Sequence, residues 1–94
     1  MDIKAMMKQA QKLQQEIKEK QEKISKQEFT YESPQIKVVA NGKKEILSIS
    51  INEAIINKED KEMLEDLILV AVNNALSEVD KVIEKELGMY TRFM

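Results

Sequence analysis

The first third of the chain carries apolar residues in steps of three and four. Together they form a heptad seam with Ile3, Ala10, Ile17 and Ile24 at the a positions and Met6 and Leu13 at the d positions. This spacing predicts an α-helix over residues 3–28, with Asp2 as its N-cap. The seam has only two apolar positions per heptad. We therefore expect this long helix to need a second helix to pack against.

The middle of the chain changes to a period of two. Alternating apolar and polar residues predict three antiparallel strands within residues 29–51, interrupted at Ser33-Pro34. Asn41-Gly42 predicts a tight hairpin between the second and third strands, with a type I′ turn whose two central residues have positive φ. Leu47 and Ile49 lie on one apolar face of the third strand, and we expect a helix to cover that face.

The last third returns to the helical period. It predicts a helix over residues 60–87, with acidic residues in its first two turns and Gly88 as the C′ residue that ends it. Residues 88–94 then form a short tail, and Ala54-Ile55-Ile56 is expected to pack beneath the helix. The apolar stripe of this helix is wider than one small sheet requires.

These elements predict one α+β domain over residues 1–94. Its order is α-β-β-β-α, with a three-stranded antiparallel sheet flanked by two long helices. Because the second helix has apolar surface to spare, we expect a homodimer. Its core is predicted to include residues on the apolar stripe of that helix, namely Leu64, Leu67, Ile68, Ala71, Val72 and Ala75.

The composition narrows the possible chemistry. The 94 residues include no cysteine and no histidine, which excludes disulfides, thiolate zinc sites, cysteine proteases and histidine-dependent hydrolases. We expect no enzymatic activity, no metal or other cofactor and no small-molecule substrate. The sequence has no apolar stretch typical of a signal peptide or a membrane span. We therefore expect a cytoplasmic protein without a membrane partner.

Charge is unevenly distributed along the chain. The net charge of −2 divides into +2 for residues 1–28, 0 for residues 29–57 and −4 for residues 58–94. Lys4, Lys8 and Lys12 form an i, i+4 row with no acid among residues 3–15, and Gln9 and Gln11 lie beside them. Lysine and glutamine together suit contacts with phosphate and sugar. A solvated helix face is the ordinary alternative.

Two further groups of lysines lie in the second half of the first helix and near the hairpin. Three Glu-then-Lys pairs at i, i+4 are expected to neutralise much of the charge in the second half of the first helix, namely Glu16–Lys20, Glu19–Lys23 and Glu22–Lys26. Lys37, Lys43 and Lys44 lie near the predicted hairpin. We expect them to offer a second contact to a polyanion.

The chain opens with a motif, Met6-Met7-Lys8-Gln9-Ala10-Gln11-Lys12-Leu13-Gln14, that is similar to the "MKQAQ-x-(M/L)-Q" start of the YbaB/EbfC-type nucleoid-associated proteins. The likeness continues at Ile36-Lys37-Val38, Asn41-Gly42 and Ile49-Ser50-Ile51. It is strongest at Asp60-Lys61-Glu62-Met63-Leu64-Glu65-Asp66-Leu67, followed by Ala71, Asn73 and Ala75. These segments span roughly residues 3–87 in the family's order.

The resemblance implies a tweezer-shaped homodimer located in the nucleoid. It would bind duplex DNA with little sequence preference, without catalysis or cofactor. The family's helical arms are associated with DNA contact, which marks Lys4, Lys8, Gln9, Gln11 and Lys12 in this chain. Two other classes stay open from the residues alone. One is a prefoldin-like holdase that grips unfolded chains through Met6, Met7 and Leu13, and the other is a scaffold that binds protein through the acidic second helix.

Overall fold

The computed structural model describes residues 2–91 and the side chains of residues 2–90. Its element order is α-β-β-β-α, which confirms the predicted fold class. The elements are helix α1 at Ile3–Lys26, strand β1 at Glu28–Glu32, strand β2 at Ile36–Asn41, strand β3 at Ile46–Ile51 and helix α2 at Lys61–Thr91. Two short 3-10 turns, Glu53–Ile55 and Lys58–Asp60, connect β3 to α2.

The core lies between the sheet and α2. The antiparallel sheet has the order β1-β2-β3, and α2 lies mainly across β1 and β2. Alternate residues of β2 point toward the helix, where small side chains let helix and sheet approach closely. The fully buried cluster consists of Ile36, Val38 and Ala40 from β2 and Ala71, Ala75 and Val79 from α2.

Strand β3 keeps much of its apolar face uncovered. Ile49 lies directly opposite Val38 and therefore shares its face of the sheet, yet Ile49 is 45% exposed whereas Val38 is 0% exposed. Leu47 was expected on the same face, but it is the extra residue at a shift in register and is 52% exposed, whereas Ile46 lies opposite Ala40 and packs against the core. One helix is about 10 Å across and covers roughly two strands spaced about 4.8 Å apart. The expectation that a helix covers this face therefore holds for β1 and β2 and only partly for β3.

The hairpin between β2 and β3 differs from the predicted type I′ turn. Neither Asn41 nor Gly42 has positive φ, and the residue that does is Lys44, at 64°. The loop is longer because Asn41 organises it with both backbone and side chain. Its carbonyl accepts from the Lys44 N–H at 3.0 Å, and its Oδ1 accepts from the N–H groups of Lys43 and Glu45. A bulge shifts the register, since Val39 pairs with Ser48 while Ala40 pairs with Ile46.

Gly42 has a different role from the predicted one. Its N–H donates to the carbonyl of Gln27 at 3.2 Å, just after the end of α1. A β-carbon at this position would overlap the backbone carbonyl of Ile24 and approach the Ile24 Cγ2 atom to 2.9 Å. A side chain at residue 42 therefore conflicts with the contact between hairpin and helix, whatever its φ.

Two predicted boundaries need correction. Helix α1 ends at Lys26, because Glu28 already pairs with Asn41 in the sheet. Helix α2 continues through Gly88 to Thr91, so Gly88 is an interior helical residue with no positive φ. The predicted tail thus begins inside the helix, and its residues 92–94 lie outside the described residues.

The connection before α2 also differs from its prediction. The side chain of Asn52 caps the first 3-10 turn by accepting from the Ala54 N–H at 2.9 Å. This turn leaves Ile55 half-buried and Ile56 58% exposed. The expectation that Ala54-Ile55-Ile56 packs beneath α2 is therefore wrong for the protomer.

Only the second half of α1 is attached to the body. Ile24 is 5% exposed, and Val82 of α2 lies beside it. Further toward the start of α1, the Lys20 ammonium lies 5.1 Å from the ring centre of Tyr90 near the end of α2. The two helices therefore run antiparallel, and α1 projects beyond this contact. This projection helps to give the molecule its 71 × 20 × 15 Å extents.

Candidate nucleic-acid interface

The candidate interface is the lysine row of α1. The side chain of Asp2 accepts from the Lys4 N–H at 3.1 Å, which confirms the predicted N-cap and fixes the start of the helix. Lys4, Lys8 and Lys12 follow at intervals of one turn and are all exposed. Consecutive lysines are about 6 Å apart along the axis, and phosphates of one DNA strand recur about every 3.4 Å of duplex axis. The row can therefore lie along one strand.

Glutamine side chains border this row. At about 100° per residue, Gln11 lies beside Lys4, whereas Gln9 lies between Lys12 and the apolar seam. Both glutamines are exposed. Their amides can donate to phosphate and sugar oxygens, but such contacts do not distinguish one base sequence from another.

The acidic part of the protein lies far from the lysine row. The acidic cluster at the start of α2 begins some 44 Å along that helix from Tyr90, and the lysine row lies beyond Tyr90 on the far side. At about 0.1 M salt, charges are screened over roughly 10 Å. The net charge of −2 therefore says little about the potential at the row. The basic and acidic segments of the sequence are therefore also far apart in the folded protein.

The other predicted DNA-contacting lysines lie elsewhere. Lys37 lies on the face of the sheet away from α2, opposite Glu32 and Ser50. Lys43 is exposed in the hairpin, and the Lys44 ammonium forms an ion pair with Asp80 at 2.8 Å. The hairpin packs at the end of α1, about 20 Å or more from Lys12 along the helix. The structure thus brings Lys4, Lys8 and Lys12 together but does not join them to these three.

The second half of α1 does not form the expected ion pairs. Among its described side chains, none of the three predicted Glu–Lys pairs is in contact. Lys20 lies over Tyr90 instead, and Glu19 accepts from the amide of Gln15 at 3.1 Å. The Lys20–Tyr90 contact was not predicted, because the predicted second helix ended before Tyr90.

The predicted dimer-core residues have two different environments. Ala71 and Ala75 are covered by the sheet of their own protomer, while Ile68 and Val72 pack half-buried against the same core. Leu64 and Leu67 are half-buried. The assignment of these six residues to a dimer core stays a prediction.

The structure adds apolar residues that the sequence analysis did not select for a dimer. Leu47 and Ile49 of β3 are exposed, as are Met63, Leu69 and Val70 of α2. On the sequence, Leu69 and Val70 belong to a continuous apolar run, in which the helical period does not mark the outer face. One protomer therefore leaves apolar side chains of both β3 and α2 uncovered.

The chemistry of the lysine row is electrostatic. Exposed ammonium groups in a regular row can bind a polyanion, and their flexible stems adapt to its shape.

No helix within residues 2–91 is long and apolar enough to cross a membrane.

Comparison with known proteins identifies the family of this chain. The model of the YbaB/EbfC DNA-binding family matches residues 1–94. A nucleoid-associated protein of Mycoplasmopsis pulmonis is 48% identical over 90 residues, which cover 93% of this chain and 90% of the relative. One from Thermoanaerobacter sp. (strain X514) is 46% identical, covering 96% and 83%, and one from Lactococcus lactis (strain MG1363) is 42% identical, covering 98% and 95%. The chain therefore belongs to the YbaB/EbfC DNA-binding family of nucleoid-associated proteins.

Proposed function

We propose that this protein binds duplex DNA as a homodimer, with little sequence preference, and helps to organise the nucleoid. The observation that carries the proposal is the row of Lys4, Lys8 and Lys12, exposed on a helix half that the rest of the protomer leaves free. Phosphate contacts of this kind position a protein on DNA without reading its sequence. Family membership and the names of the relatives support DNA as the partner.

Binding to random duplex DNA at several salt concentrations tests the proposal. A dimer presents six lysines of the row, three from each copy. If each neutralises one phosphate, the slope of log affinity against log salt is expected to be about −5, at roughly 0.9 per phosphate. Gel-shift titrations on two unrelated sequences measure both the slope and the preference. Absence of a shift even at low salt would contradict the proposal.

The homodimer is supported by the uncovered apolar surface. Ile49 lies on the α2 side of β3 yet is exposed, and Leu47 of the same strand and Val70 of α2 are exposed as well. Strand β3 is also an edge strand with one side of its backbone unpaired. A second copy related by two-fold symmetry would cover the same surface on both chains.

Replacing Ile49 by Asp is expected to break the dimer. Since Ile49 is 45% exposed in the protomer, the change should weaken association of the two copies more than it weakens folding. An unpaired charge buried twice in a symmetric interface costs several kcal/mol each time, which weakens association by more than about 1,000-fold. Light scattering at micromolar concentration should give about 22 kDa for the parent, twice the 10.9 kDa chain, and half of that for the variant.

Ser48→Asp is the matched control for this change. Ser48 is exposed on the same strand but pairs with Val39 on the opposite face of the sheet. The control should keep the parent mass. A parent that is monomeric and folded at this concentration would refute the dimer.

A prefoldin-like holdase is the second candidate function. The observation that favours it is the exposure of Met6, Met7 and Leu13 on the free half of α1. Apolar contacts with an unfolded chain would survive high salt, whereas phosphate contacts would not. Binding measured at low and high salt therefore separates the two functions.

A further inference from the structure

The free half of α1 carries an apolar seam as well as a lysine row. Ile3 is 70% exposed, Met6 55% and Leu13 41%, and Ala10 is exposed between them. The same stripe continues to Ile24, which is buried against the body. The stripe is therefore a helix-packing face along its whole length, but α2 covers only its second half.

We propose that this exposed seam packs against the same segment of a second copy, one from another dimer, as an antiparallel pair of helices. The pair spans only two heptads, so we expect it to form between dimers brought close together and to leave the mass at micromolar concentration unchanged. With the two segments centred on residue 8, Ile3 lies opposite Leu13 of the second copy and Met6 lies opposite its Ala10. Ala10, the one small residue of the exposed seam, then lies opposite the large side chain of Met6 in both copies. A parallel pair would instead place Ala10 opposite Ala10 and leave a gap there.

The charges of α1 permit this pairing. The e and g positions that flank a seam decide whether two helices attract or repel each other. In the free half these positions are held by Met7, Gln9 and Gln14, all uncharged. The lysines lie at b, c and f positions on the opposite side of the helix, so the two rows stay apart. Antiparallel helices also place opposite ends of their dipoles together.

The pair would present a lysine row on each of its two outer sides. Since each row lies opposite its own seam, the rows of the two copies point in opposite directions. Each dimer could then keep its own duplex, bound by its six lysines, while the helix pair joins the two dimers. This consequence rests on the proposed DNA binding, whereas the pairing itself does not.

Disulfide trapping tests the pairing directly, because the chain contains no cysteine of its own. A nitrogen-15-labelled Met6→Cys variant is mixed and equilibrated with unlabelled Ala10→Cys, oxidised mildly and weighed by intact mass spectrometry. In the proposed register residues 6 and 10 face each other, whereas two copies of residue 6 are offset by about 6 Å along the axis. The mixed disulfide is expected to exceed either single-variant disulfide by about ten-fold, since bridged Cα atoms lie within about 7 Å.

Lys8→Cys is the matched control, because residue 8 lies on the outer side of the same helix half. It should cross-link far less than the mixed pair. Equal cross-linking of Lys8→Cys would refute pairing through the seam, and dominant Met6–Met6 links would refute the antiparallel register. Loss of the mixed link together with binding of reduced, carboxymethylated lactalbumin would assign the seam to unfolded chains and would also overturn the proposal.

The bridging consequence has its own measurement. Bead-bound duplex DNA incubated with the parent protein is expected to capture a second, labelled duplex. The double variant Met6→Gln with Leu13→Gln keeps every lysine, so it should still shift a single duplex but capture the second about ten-fold less. Unchanged capture would refute bridging through the seam. If the parent shifts no duplex at all, the proposed function fails while the disulfide result still decides the pairing.

Discussion

Replacing Lys4, Lys8 and Lys12 together by Gln is expected to remove most of the affinity for duplex DNA. The change deletes six charges per dimer, so most of the salt slope of about −5 should be lost, and at about 0.1 M salt the affinity should fall at least 100-fold. The loss should be equal for unrelated sequences, because phosphate contacts carry no sequence information. Gel shifts over a salt series on two duplexes measure both effects.

Protein stability should hardly change in this variant. The three side chains are exposed, and Gln is nearly as good a helix former as Lys. Urea unfolding should therefore differ from the parent by less than about 0.5 kcal/mol. A loss of DNA binding with unchanged stability would assign the effect to the interface and not to the fold.

The triple variant of Lys18, Lys23 and Lys26 to Gln is the matched control. It removes the same number of charges from the same helix and leaves the Lys20–Tyr90 contact in place. These lysines lie on the half of α1 that is attached to the body, among Glu16, Glu19 and Glu22. Their replacement should weaken binding much less. Equal loss in both triple variants would mean that overall charge, and not the row, determines binding.

The order of the elements was predictable because each rests on a strong local pattern. Ile3 to Ile24 repeat at the helical period, and the residues of β2 alternate between the two faces of the sheet. The lysine row was predictable for the same reason, since a spacing of four residues places side chains on one helix face. These features depend on neighbours in sequence and not on distant contacts.

The incorrect predictions concern residues whose conformation depends on contacts with residues distant in the sequence. Gly42 was assigned a turn conformation, but its close contact is with the end of α1, eighteen residues earlier in the chain. Gly88 was expected to end α2, yet the helix continues to bring Tyr90 against Lys20. The Lys44–Asp80 pair likewise joins residues far apart in sequence. Local propensity cannot reveal such contacts, and tertiary packing overrides it.

The candidate site was only partly predictable for a geometric reason. Three other lysines share the charge and chemistry of the lysine row but lie far from it, because α1 leads away from the hairpin; they are Lys37, Lys43 and Lys44. The exposure of Ile49 depends on how many strands one helix covers. Neither feature could be predicted from the spacing of residues along the sequence.

The two glycines of the chain are expected to respond in opposite directions to replacement by alanine. In Gly42→Ala the new β-carbon overlaps the backbone carbonyl of Ile24, so the hairpin must move away from α1 and the Gly42–Gln27 hydrogen bond is strained. Overpacking against backbone costs about 1–3 kcal/mol, and lost burial of Ile24 adds to this. The arm that carries the lysine row would lose its attachment to the sheet.

Gly88→Ala also adds a β-carbon in place of a glycine hydrogen, but here the neighbouring side chain can move away. Its β-carbon would lie 2.7 Å from a carboxylate oxygen of Glu84, the far end of a flexible side chain. Alanine is favoured over glycine inside a helix by about 0.8–1.0 kcal/mol, so this variant should be as stable as the parent or more stable. Urea unfolding of both variants measures the difference. Destabilisation by Gly88→Ala to the level of Gly42→Ala would mean that α2 ends at residue 88 and that Tyr90 does not hold α1.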